Sequence, residues 1–337
     1  MLRRLFHFWE KRLALRDTNR RLLPFDLGVE WVPEWGSGGD GDNPAAHLRA
    51  ELQRALDHSD QFFSYSPVKD FTLADHLLRF RSPVASAYES NNVAQARYFP
   101  ADSKGRAVVV LPQWNADRQG HMNLCRMLNF FGLTALRLSL PYHDDRTPPG
   151  CERADYMVSS NVGRTVHACR QAVVEGRAAI DWLQSQGYHR FGILGTSLGS
   201  CIALITTAHE PRISAQALNH ISTYFADVVW RGISAAHVQQ SMAGNITLEE
   251  LRDYWRVISP ASYLGRLQGT SVQTLLIHAR YDLTFPTDLT KQTIELFRKL
   301  GLPHRRLCLP CGHYTTGVGI FKWLDALAMC RFLRDAL

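Results

Sequence analysis

Apolar positions along this chain fall into short runs that alternate between a period near two and a period near 3.6, the marks of strand and helix. From about Leu77 the texture is strand-like. Runs at 84–89, 93–99 and 106–112 are separated by turn clusters at Ser90-Asn91-Asn92 and at 102–105. They read as an antiparallel entry to a sheet. Beyond them strands and helices alternate. A helix over about 118–131 ends at Gly132, strand 134–140 follows, and a long helix lies within 160–186. Strand 190–194 precedes a helix from 198, and strand 214–219 comes next. Strand 272–278, helix 287–299, strand 304–309 and a last helix over 317–335 complete the series. The run 108–111 is apolar without interruption, as in a strand buried on both faces. Repeated βα units predict an α/β fold, a mainly parallel sheet flanked by helices.

Two segments break the rhythm. Residues 221–265 form an insert, helical because Thr247-Leu248-Glu249-Glu250 is a capping box. The insert falls late in a parallel sheet, where added helices cover the strand C-termini and so act as a cap over the ligand edge. Residues 1–79 form a helical extension ahead of a domain spanning 80–337. Within the extension, 36–42 is loop composition, and Asn43-Pro44 opens a helix that runs to about Asp57. Asp40 and Asp42 lack calcium-loop spacing and read as a solvated loop.

Charge changes the picture at one end only. Lys and Arg number 38 against 31 Asp and Glu, a net +7. Seven basic side chains lie within residues 1–21 against two acids, Glu10 and Asp17, a balance of +5. The body is therefore almost neutral, with no basic stripe and no nucleic-acid motif, so nucleic acid is not an expected partner. In the same stretch Leu2, Leu5, Phe6, Trp9 and Leu13 share a helical face. Such a helix either rests on an anionic membrane, through residues 1–23, or packs on the body of the protein. Glu10 and Lys11 interrupt the apolar run, which is not that of a secretory signal. No stretch has the roughly 18 unbroken apolar residues of a membrane span. Seven cysteines at irregular spacing do not form a disulfide framework, and a reducing, cytoplasmic setting is expected.

The chemistry-bearing signal is Gly195-Thr196-Ser197-Leu198-Gly199, a G-x-S-x-G pattern. An apolar strand, 191–194, precedes it and an apolar helix follows, the context of a nucleophile elbow. Ser197 would sit strained at the tip of a sharp turn, and glycines on both sides would keep side chains out of the neighbouring backbone. The new helix would aim its free N–H groups at a reacting oxygen. Here the chain resembles the α/β-hydrolase superfamily of serine hydrolases, esterase- and lipase-like, over about residues 80–337. The resemblance implies a triad in the order Ser, acid, His.

Asp282, in a loop after strand 272–278 and four residues before Pro286, is similar to the family's acid loop. Asp288 and Asp227 are the alternatives. His313, in Gly312-His313-Tyr314 between the last strand and the last helix, is similar to the family's catalytic histidine loop. The resemblance places the oxyanion hole at the N–H of Leu198 and in the loop Pro112-Gln113-Trp114-Asn115. Many relatives carry His-Gly there and this chain carries Pro112-Gln113. By position Trp114 N–H is the choice, with Gln113 the alternative. His143 either contacts substrate or helps tie down the loop 141–146. Cys308-x-x-Cys311 is more simply a pair of partly buried thiols than a zinc or redox site. Phe225, Val229, Trp230 and Tyr254 of the insert could line an acyl pocket or be plain core. No phosphate-cradling loop, dinucleotide fingerprint or metal-ligand helix is present, so no cofactor or metal is expected. The expected activity is hydrolysis of a small-molecule acyl ester through an acyl-enzyme on Ser197. Alternatives are a thioesterase, peptidase or acyltransferase of the same fold, a lipid hydrolase at a membrane surface, or a catalytically silent binding module.

Overall fold

The computed structural model describes residues 2–32, 43–102 and 105–337. The loop read at 36–42, with Asp40 and Asp42, and part of the turn at 102–105 lie outside the described residues. Nine strands form one sheet: β1 (Thr72–Ala74), β2 (Leu77–Arg81), β3 (Val93–Phe99), β4 (Arg106–Leu111), β5 (Thr134–Leu138), β6 (Arg190–Thr196), β7 (Ile213–Asn219), β8 (Gln273–Ala279) and β9 (His304–Leu309). Their spatial order is β1-β2-β3-β5-β4-β6-β7-β8-β9. The first three strands and the β3–β5 pair are antiparallel. From β5 through β9 every pair is parallel. The strand order reverses around β4, so a crevice opens beside it at the C-terminal edge, where open α/β sheets bind ligands.

The helices are α1 (Leu2–Ala14), α2 (Pro44–Asp57), α3 (Ser59–Phe62), α4 (Met122–Phe130), α5 (Val162–Ser185), α6 (Leu198–His209), α7 (Phe225–Arg231), α8 (Ala236–Met242), α9 (Leu248–Tyr254), α10 (Thr287–Lys299) and α11 (Gly319–Ala336). They cover both faces of the sheet, and β4 shows why. Its side chains alternate, so Ala107, Val109 and Leu111 enter the core under α5 and α6. Val108 and Val110 enter the opposite core, under α4 and α11. Asn43 caps α2 by accepting from the Ala46 amide at 3.1 Å. In α9, Thr247 and Glu250 form the reciprocal capping box read from the sequence. No helix among the described residues is long and apolar enough to cross a membrane.

Three local readings need correction. Residues 84–89 are not a strand; that edge is built by β1 and β2 instead. Pro83 has no N–H to give a ladder, and the segment's polar groups satisfy one another locally. The Ser86 amide donates to Asn92 Oδ1 at 2.7 Å, and Asn92 Nδ2 donates back to the Ser86 carbonyl at 2.9 Å. The sheet accordingly begins at Thr72, inside the stretch read as extension. Leu48, Leu52, Phe62 and Phe63 of that extension are buried in the main core. The third correction is α4, which starts at Met122. Its expected first turn is consumed by Asp117, whose side chain accepts from the amides of Gln119 and Gly120.

Candidate active site

Ser197 lies between β6 and α6 with φ 56° and ψ −120°, a conformation an L-residue adopts at a cost of about 1–3 kcal/mol. Its amide is tied down, donating to the Asn219 carbonyl at 2.8 Å. A Cβ on Gly195 would run into the backbone of Gly199. One on Gly199 would run into the carbonyl oxygens of Leu111 and Pro112. Gly195 therefore lets the turn fold back closely on α6, and Gly199 lets the start of α6 press against the end of β4, which sets the loop 112–115 beside Ser197.

The structure brings Ser197, His313 and Asp282 together from three different loops at the C-terminal edge. Ser197 Oγ donates to His313 Nε2 at 3.0 Å, and His313 Nδ1 donates to Asp282 Oδ2 at 3.0 Å. The other Asp282 oxygen accepts from the amides of Thr284 and Phe285 at 2.8 and 2.7 Å. Burial by itself would raise the Asp282 pKa, but the two histidines that donate to it, His313 and His220, bring it well below the usual carboxylate range. For His313, burial disfavours the cation, yet the charge and hydrogen bond of Asp282 win and hold the ring above its ordinary value. Phe285 stacks on the His313 ring at 5.3 Å. The alternative acids are engaged elsewhere: Asp227 pairs with Arg252 and Asp288 with Arg231.

Sequence reasoning missed three residues at this site. His220, directly after β7, donates from Nδ1 to the same Asp282 Oδ2 at 3.0 Å. Its ring centroid is 4.4 Å from that of His313. A histidine that merely follows a strand carries no pattern that would flag it. Asp325, on α11, is buried and lines the cavity over Ser197. It accepts from Asn219 Nδ2 at 2.7 Å, and burial, opposed by His220 and Asn219, pushes its pKa up to about 6. The third is Glu10. Its buried carboxylate accepts from the Tyr314 amide at 3.0 Å and the Thr315 amide at 2.8 Å. Helix α1 thus packs on the body and clamps the turn immediately after His313. A single acid on an amphipathic helix reads as solvated surface, which is why its role was illegible.

A cavity of about 720 Å³ opens over Ser197. Leu198, Gln113 and Trp114 line it, as do Phe225 and Val229 from the cap. Trp230 packs on the core, and Tyr254 turns to α2, its hydroxyl donating to the Ala45 carbonyl. Leu198 opens α6, so its N–H belongs to the first-turn amides that have no intrahelical acceptor. Trp114 Nε1 donates to the Ala154 carbonyl at 2.9 Å, fixing the loop. Asn115 is committed as well, its amide donating to His143 Nε2 at 2.9 Å and its Oδ1 accepting from the Ala154 amide. His143 is buried, with Nδ1 donating to the Pro141 carbonyl, so it braces the loop. Burial brings its pKa down to about 4 and keeps it neutral.

His220, Asp282 and His313 are grouped closely enough to hold a metal ion. Their chemistry does not fit one. Both Nδ1 atoms already point N–H groups at a single carboxylate oxygen, so a cation bound there would have to displace two protons and would leave His313 Nε2 protonated, unable to accept from Ser197. All seven cysteines are free thiols. Cys311 is buried against Thr316 Oγ1 at 3.2 Å and Cys308 is exposed.

No family model matches the chain, and no curated protein matches it in sequence. Solved structures do match in shape. An acetyl xylan esterase from Paenibacillus sp. R4 aligns with TM-score 0.64 and 14% identity, covering 94% of this chain and 100% of its own. Acetyl xylan esterase 1 from a Thermoanaerobacterium species gives 0.60 and 15%, covering 93% and 99%. The acylaminoacyl peptidase of Pyrococcus horikoshii gives 0.59 and 15%, covering 80% of this chain. The chain spans only 42% of that peptidase's length. At such identities the likeness is one of architecture: the chain has the α/β-hydrolase fold.

Proposed function

We propose that this chain is a serine hydrolase acting on carboxylic esters through an acyl-enzyme on Ser197. The reading rests on one observation: the hydrogen-bonded run from Ser197 Oγ to His313 to Asp282, at 3.0 Å for each link, opening on the cavity. In the reaction, His313 Nε2 takes the Ser197 proton as Oγ bonds to the acyl carbon. Asp282 stays ionised and steadies the imidazolium. The Leu198 N–H and a second amide, from Trp114 or Gln113, receive the negative oxygen of the tetrahedral intermediate. His313 then protonates the departing alkoxide as the C–O bond breaks. Water, deprotonated by the same nitrogen, attacks the acyl group and releases the acid and free Ser197.

Esters come first among possible substrates because an alkoxide leaves with less activation than an amide nitrogen. Two of the structural likenesses are named as esterases, which supports the same choice. Phe225, Val228 and Val229 give the acyl side of the cavity an apolar wall. A rapid-mixing assay with p-nitrophenyl esters tests the reading. A burst of nitrophenol equal in amount to the protein, absent in Ser197→Ala, is expected. Turnover that persists in Ser197→Ala would refute it.

A further inference from the structure

Helix α1 is docked off the axis of its apolar stripe. The line of burial runs through Glu10 and Ala14, because the two hydrogen bonds that Glu10 accepts from backbone amides set the helix's roll. Phe6, Trp9 and Leu13 are consequently only half covered, while Leu5 is 58% exposed and Phe8 65%. Arg4, Lys11, Arg12 and Arg16 are exposed among them. The acids of this stretch do not neutralise that charge. Glu10 faces inward, and Asp17 pairs with Arg20 at 3.3 Å.

This face continues onto α11. The Phe6 ring meets Phe321 at 6.2 Å, and the exposed side of that first turn carries Ile320 at 66% and Trp323 at 61%, with Lys322 between them. Lys322 and Trp323 also line the cavity that contains Ser197. Large apolar side chains and uncompensated cations are therefore interleaved at the rim of the site.

We propose that the outward faces of α1 and of the start of α11 seat this protein on an anionic lipid bilayer, with the Ser197 cavity opening at the lipid interface. Leu, Phe and Trp set among Arg and Lys on a short helix suit the headgroup boundary, where apolar tips enter the acyl region and cations meet lipid phosphates. The core of a protein–protein interface is depleted in charge, whereas here Arg4, Lys11 and Arg12 stand among the apolar side chains. At 13 residues α1 reaches about 20 Å, too short to span a membrane and suited to lying along it. That the acyl substrate arrives from the lipid rests on the hydrolase reading; the docking does not.

The test is vesicle sedimentation of the full chain, since truncating α1 would remove the Glu10 clamp. Vesicles of phosphatidylcholine alone are compared with vesicles that also contain phosphatidylglycerol, at low and high salt. The double variants are Leu5→Glu with Phe8→Glu, and Arg4→Glu with Arg12→Glu. Binding to the anionic vesicles is expected, weakened by salt and, in each pair, by at least about 25-fold, since each arginine charge lost alone costs about fivefold and each substitution also sets a carboxylate against the anionic surface. Hydrolysis of a water-soluble ester and the unfolding midpoint should match wild type in both variants. Absence of binding to anionic vesicles, or equal binding by the variants, overturns the proposal. So does a concentration-dependent dimer of the wild type that Leu5→Glu with Phe8→Glu dissolves without any vesicle binding, because the face then belongs to a second copy. Failure to cleave the soluble ester would count against the hydrolase reading alone and leave the vesicle result standing.

Discussion

Replacing Glu10 with Ala removes the acceptor for the partly buried amide of Tyr314 and the buried amide of Thr315, at 3.0 and 2.8 Å. An unsatisfied buried donor costs about 1–3 kcal/mol, so the pair costs at most about 2–6 kcal/mol if both stay sealed from water. Relaxation by peeling α1 away lets water reach the amides and pulls the loss toward the lower figure, about 2 kcal/mol. The substitution also removes a negative charge that helps hold the His313 pKa up. The imidazolium then loses its proton more readily, so the acid limb of kcat/KM, where activity rises with pH, moves to lower pH. Glu10→Gln separates the two effects. It keeps one acceptor oxygen and about half of the stability, yet shifts the pH limb as far as Ala does. Urea unfolding and a pH series with a soluble ester measure both. An Ala variant within about 0.5 kcal/mol of wild type, with an unmoved pH profile, would refute the clamp, since that range is typical of plain surface substitutions.

Other outcomes follow from the same geometry. Because His313 must be neutral to accept the Ser197 proton and its pKa is raised above 6.5, kcat/KM should climb with pH through a midpoint above that value; a midpoint below it would contradict the assigned influence of Asp282. His220→Ala takes a donor from Asp282 and leaves a more basic carboxylate, so the midpoint should move up and kcat should fall about tenfold, less than the roughly 10²–10⁴-fold of an acid–base group itself because His220 acts through Asp282. His220→Asn keeps an N–H near the Nδ1 position and should recover most of both; a role confined to packing would leave the pH profile unmoved. Gly199→Ala forces a Cβ into the carbonyls of Leu111 and Pro112 and pushes back the loop 112–115. A kcat loss of about 10²–10³ at nearly constant KM is expected, the size seen when an oxyanion donor is lost; an unchanged kcat would show that loop to be uninvolved.

The parts legible in the sequence were those whose cause is local. Strand 304–309 and helix 287–299 were read at their observed bounds because period and turn chemistry lie within a few residues. Ser197 stood out because strand, glycines and helix are contiguous around it. Asp282 and His313 could be singled out only through the resemblance, since a lone loop aspartate and one of 14 histidines carry no signal of their own. What was illegible depends on distant partners. His220 gains its meaning from Asp282, 62 residues later. Glu10 gains its meaning from amides some 300 residues on. The expected strand at 84–89 failed because the Ser86–Asn92 hydrogen bonds, and not the apolar pattern, decide that backbone. The roll of α1, which leaves half its apolar stripe outside, follows from the same long-range clamp.

The central claim is that Ser197 is the activated nucleophile. A fluorophosphonate probe reacts with such a serine and not with an ordinary buried hydroxyl. Intact-mass measurement of the labelled protein tests it most directly. One adduct per chain is predicted, mapped to Ser197, absent in Ser197→Ala and strongly slowed in His313→Ala. A folded wild type that takes up no label, or a Ser197→Ala chain that labels as well as wild type, would contradict the account.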